Sequence, residues 1–135
     1  MSNFNLSSII DKLKVYSICS IIGIENAISL TASNEKMIIS GKEAFNICQF
    51  IKNLRIENKK QDYLVISDIK YELESNLDEN IFVMKDFDNN KIVIGYSRFY
   101  TIICKFIFTD LNDDIYNKGL FEITNILDEF KFRNL

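Results

Sequence analysis

The sequence contains no histidine, no proline and no tryptophan, and only four glycines and three cysteines. Each shortage closes off a class of function. Without His the commonest general base near neutral pH is missing. The usual nitrogen ligand of zinc goes with it, and no CxxC pair takes its place. The glycines are scattered, so the chain has no Walker loop, no GxGxxG turn and no GxSxG elbow. Cys19, Cys48 and Cys104 are odd in number, far apart and each set in an apolar run. That pattern predicts free buried thiols that pack as small hydrophobes. No apolar run approaches the ~20 residues that cross a bilayer, and the N-terminus lacks a basic-then-apolar leader. The expectation is an intracellular, cytoplasmic protein.

What is present is an ordinary globular balance. Apolar residues make up 47% and charged residues 26% of 135 positions, which fits one domain over 1–135. A chain of this size buries about 70% of its unfolded surface, enough for a core without staples. The net charge of -3 disfavours nucleic acid, which needs a positive stripe. The one basic cluster runs from Lys52 to Lys60. It reads as a solvated helix end whose cations suit the C-terminal dipole. Alternatively, Lys52, Lys59 and Lys60 touch an anionic membrane or a phosphoinositide. Asp110, Asp113 and Asp114 lack the later Gly and Glu of a calcium loop and read as a solvated connector. Glu72 and Glu74, two apart on a wet strand, serve solubility. The inventory predicts a binding module, not an enzyme, with no cofactor and no metal.

Periodicity supplies the elements. Ile81–Met84, Lys91–Tyr96 and Phe99–Phe108 are apolar runs joined by Asp88-Asn89-Asn90 and Ser97-Arg98, which predicts an antiparallel meander. In its last strand Ile102, Cys104, Phe106 and Phe108 share a face. Before the meander, Ser2 or Asn3 is placed to cap a first helix with a stripe at Leu6, Ile9, Ile10 and Leu13. Tyr16–Ile24 reads as a strand buried on both faces, with Ala27–Ala32 as its hairpin partner. Ser40-Gly41-Lys42-Glu43 is a capping box opening a second helix. Its stripe is Ala44, Ile47, Cys48, Ile51 and Leu54, widened by Phe45 and Phe50. Tyr63–Ile66 is a short strand, and Ile69–Ser75 alternates Ile69, Tyr71, Leu73 against Lys70, Glu72, Glu74. Asn76–Asn80 is expected as a turn. Asn117-Lys118-Gly119 opens a final helix with Leu120, Ile123, Ile126, Leu127 and Phe130 inward. Helix, hairpin, helix, about five strands and helix give an α+β sandwich.

The order and spacing of these elements resemble profilin, the small actin-monomer-binding protein, over the whole chain. The likeness rests on Ser20-Ile21-Ile22-Gly23-Ile24 after the first helix, the Ser40–Glu43 box, Asp68-Ile69-Lys70-Tyr71, and Asn117-Lys118-Gly119-Leu120 leading to Leu127-Asp128-Glu129-Phe130. An Ile-, Asn- and Lys-rich chain suits a divergent archaeal member. The resemblance implies a central antiparallel sheet between helices, with the N- and C-terminal helices on one face. It implies binding of the actin monomer and regulation of filament assembly, in association with the cytoskeleton. The matching positions for actin are Lys70, Leu73, Lys85, Asn117, Gly119 and Glu122. It also implies a polyproline groove between the terminal helices, which requires an aromatic floor. This chain has no Trp and offers only Phe4 in its first helix, so polyproline binding is expected to be weak or absent. Glu72 and Glu74 stand where the family has apolar residues, which implies either a shifted register or a wetter sheet face. A roadblock or longin-like platform that regulates a small GTPase is the alternative, and it would lack a last helix packed beside the first.

Overall fold

The computed structural model describes residues 5–24, 29–32, 39–56, 63–106 and 114–135. Three helices and seven strands follow in the order α1 (Leu6–Leu13), β1 (Ser17–Gly23), β2 (Ser29–Ala32), α2 (Gly41–Ile56), β3 (Tyr63–Ile66), β4 (Ile69–Asp78), β5 (Ile81–Lys85), β6 (Lys91–Tyr96), β7 (Tyr100–Phe106) and α3 (Asp114–Phe132). The strands form one antiparallel sheet in the order β2-β1-β7-β6-β5-β4-β3. Every neighbour but one is a sequence neighbour. The exception is β1 against β7, where Cys19 lies opposite Cys104.

Both faces of the sheet are covered, which is why β1, β5, β6 and β7 are apolar on both sides. On one face α2 lays Ala44, Ile47, Cys48, Phe50 and Ile51 over Ile22, Leu64, Phe82, Met84, Ile92 and Ile103. On the other, α1 contributes Ile9, Ile10 and Leu13, and α3 contributes Ile123, Ile126, Leu127 and Phe130, to one core over Ile21, Val83, Val93 and Ile102. The N- and C-terminal helices therefore share a face. The three thiols are buried and none forms a disulfide, as expected.

Glycine lets α3 come this close. A Cβ on Gly95 of β6 would stand 2.6 Å from Leu127 Cδ1, and one on Gly119 of α3 would run into the Phe106 ring. Gly costs a helix about 1 kcal/mol relative to Ala, so Gly119 is explained by packing and not by propensity.

Several local expectations shift. Asn5, not Ser2 or Asn3, caps α1: its side chain accepts the Ser7 N–H at 2.9 Å. Phe45 is 55% exposed, off the inner stripe of α2. The strand β4 runs on through Asp78, because register shifts after Leu73 and Asn76 let it stay paired with β5. The last helix opens three residues before Asn117, at Asp114. The start of the hairpin partner at Ala27 and Ile28, and Phe108, Asp110 and Asp113, lie outside the described residues.

The capping box forms as written. The Glu43 N–H donates to Ser40 Oγ and the Ser40 N–H to Glu43 Oε1, each at 3.1 Å. The same carboxylate also accepts the N–H of Ser67 at 3.2 Å and of Asp68 at 3.0 Å. Those two residues are the β3–β4 turn, with φ of 52° and 62°. A two-residue hairpin of the type I′ kind needs both in the left-handed region, where Gly or Asn is usual. Here a buried carboxylate holds two non-glycine residues there.

Candidate functional site

The strands place a charged row on the face that carries α1 and α3, beyond the cover of those helices. Tyr63, Glu72, Lys85 and Lys91 are successive register partners across β3, β4, β5 and β6. Their flanking residues Leu64, Tyr71, Met84 and Ile92 all face α2, so strand alternation turns the row the other way. Lys70 joins it: its Nζ lies 4.6 Å from the centroid of the exposed Tyr63 ring. Glu74 sits at the first irregularity of β4 and pairs with Lys91 at 2.9 Å. These side chains are only 27% and 13% exposed, so water screens the pair less than a fully surface one. The wetter face thus carries an ion pair, with Glu72 in its expected register and Glu74 at the irregularity that follows.

The row meets the start of α3. Burial and then the Glu74 carboxylate, which reaches Lys91 on β6, push the Tyr116 phenol above its ordinary range. The Tyr116 ring stands edge-on to Phe106, with centroids 4.9 Å apart. Next to it Asp114, Asn117, Lys118, Phe121 and Glu122 line a shallow cavity of about 300 Å³ with Tyr16. Lys70, Lys85, Asn117 and Glu122 therefore belong to one side of the molecule.

Two of the sequence-derived positions stand apart. Leu73 packs against the core under α2, on the opposite face from Lys70 and Lys85. Gly119 is buried against Phe106 and Tyr16, so Gly119→Arg would displace α3 instead of probing a surface. Lys52 lies on half-buried ground in α2, on the far layer, and Lys59 and Lys60 lie outside the described residues, as does Phe4. Sequence reasoning missed Tyr63, Lys91 and the Glu74 pair as members of the row. Counting outward from the hairpin turns with period two would have found them.

The chemistry on offer is recognition. Among the described residues no group of three or more His, Cys, Asp or Glu is arranged to hold a metal, and no helix is long and apolar enough to cross a membrane. Hydrogen bonding with Cys19 and burial push the Cys104 thiol well up, and burial raises Cys48 against the pull of Lys52, which disfavours thiolate chemistry at either.

No protein-family model matches the sequence, and no curated protein matches it. Solved structures do. Profilin IA of Acanthamoeba castellanii superposes with a TM-score of 0.74 at 7% identity, covering 97% of this chain and 100% of that one. Schizosaccharomyces pombe profilin gives 0.72 at 8% identity, over 97% and 100%. LokiProfilin2, in its complex with rabbit actin, gives 0.68 at 16% identity, over 96% and 97%. With the terminal helices side by side on one face of the sheet and α2 on the other, this chain has the profilin fold.

Proposed function

We propose that this protein binds the actin monomer and regulates filament assembly, through the face formed by the charged row and the first turns of α3. One observation carries the proposal. On that face the helices leave β3, β4 and the near ends of β5 and β6 bare, and the row there carries charges of both signs, Lys70, Glu72, Lys85 and Lys91, beside the exposed Tyr63 ring. A rim of mixed charge around partly apolar ground suits a transient protein interface. A structural neighbour solved with rabbit actin covers nearly the whole of this chain. Lys70, Lys85, Asn117 and Glu122 are the contacts assigned to this surface. The alternative, a roadblock or longin-like platform, lacks the helix that here packs beside α1.

The test is assembly of pyrene-labelled rabbit actin with increasing amounts of the protein. Slowed spontaneous nucleation and a saturable complex with monomeric actin are expected. Lys85→Glu reverses a charge in the row without touching the core. It should weaken the complex by about tenfold, since a misplaced like charge across an interface costs a kcal/mol or more. Unchanged nucleation with no detectable complex rejects the proposal.

A further inference from the structure

Phe87 is the most exposed large apolar side chain among the described residues, at 101% of its reference surface. It sits in the β5–β6 turn, two residues past Lys85 and so immediately beyond the Lys85–Lys91 rung. Lone exposed apolar residues are common and carry no meaning alone. The mount is what sets this one apart. The turn is closed by Asp86 N–H to the Asn90 carbonyl at 2.9 Å and by Asn89 N–H to the Asp86 carbonyl at 3.1 Å. Asp86 then accepts Asn90 N–H at Oδ1, 2.8 Å, and the Asn90 side-chain amide at Oδ2, 2.9 Å. Asn89 takes the left-handed conformation, φ 66°, which its residue type tolerates. Four hydrogen bonds thus hold a short turn still while it presents an aromatic ring to water.

A ring held this way loses little freedom when a partner covers it, and aromatic anchors ringed by polar contacts dominate many interfaces. The Glu72–Lys85–Lys91 row supplies such a polar surround on one side of the ring. We infer that Phe87 is an aromatic anchor that enters an apolar pocket of the actin monomer. The inference rests on the actin-binding proposal above. Continuity with the charged row, one register rung away, argues for the same partner and not a separate one.

Two variants separate the possibilities, Phe87→Ser and Phe132→Ser, the second removing a ring 91% exposed in the last turn of α3. Neither side chain packs in the core, so both variants should melt at the temperature of the parent. Affinity for pyrene-labelled rabbit actin monomer is then measured for all three. The expected result is a loss of about tenfold or more for Phe87→Ser and a change within about twofold for Phe132→Ser. If the parent binds actin and Phe87→Ser binds equally well, the anchor is overturned while the actin proposal stands. If the parent itself binds no actin, the proposal beneath it has failed. Sedimentation showing a dimer of the parent that Phe87→Ser abolishes would overturn the anchor in favour of a second copy of this chain.

Discussion

Gly119 shows how a single residue can look like one thing in sequence and be another in space. In the linear chain it marks the start of a helix; in the fold it is the gap through which α3 meets Phe106 and Tyr16, whose Cβ would lie 3.2 Å from an added methyl. Replacing it with Ala gains about 1 kcal/mol of helix propensity. Overpacking costs about 1–3 kcal/mol, and the obstacle is a ring already wedged against Tyr116. Sterics should win. Gly119→Ala is expected to lower the urea midpoint, whereas Asn125→Ala, exposed on the same helix, should not. The candidate site was partly legible at this scale. The alternation in β4 already put Lys70 and Glu72 on one face and Leu73 on the other, so Leu73 could have been set aside by parity alone. The exposure of Phe87 could not be read, because nothing in a run of residues says whether a turn aromatic folds back or stands clear.

At the scale of elements, local rules worked where the partners are local. The capping box, the helix stripes apart from Phe45, and the β5–β6 turn each depend on residues within a few positions. What escaped was the second use of Glu43. Its bonds to Ser67 and Asp68 span more than twenty residues, and no short pattern encodes them. The boundaries that moved, at Asn5, Asp78 and Asp114, moved because register shifts and tertiary contacts extend or shorten an element beyond its propensity. Glu43 also makes a measurable claim. Glu43→Ala removes the reciprocal cap of α2 and leaves two buried-edge N–H groups of a left-handed turn without their acceptor. A loss of about 2 kcal/mol or more is expected in denaturant unfolding. Serine at Asp68 should cost much less, since there only the backbone N–H is used in the contact with Glu43.

For the whole molecule, the number of strands and their order in the meander were implied by the alternation of patterns along the chain, and the pairing of the terminal helices by the resemblance to profilin. The pairing of β1 with β7 was not, because it joins residues about 85 positions apart. Burial gives the folded state a pH signature. Tyr71 is packed under α2, and burial, followed by the nearby Asp86 charge, raises its phenol from an ordinary 10.0 to about 12. The folded state thus holds this proton more tightly than the unfolded one. The contribution to stability is complete below pH 10 and is lost as pH rises from there through about 12, to the extent of some 2–3 kcal/mol. Stability measured from pH 9 to 11.5 should fall less steeply for Tyr71→Phe than for the parent; parallel curves would contradict the assignment.

The pairing of β1 with β7 carries one more consequence, for the order in which the molecule is made. During synthesis the first hairpin emerges with the inner edge of β1 unsatisfied, and its rightful neighbour follows only about 85 residues later. Until then that edge, apolar and ready to pair, has no native partner, so closure of the sheet waits on β7 and the open edge is where wrong pairing would start.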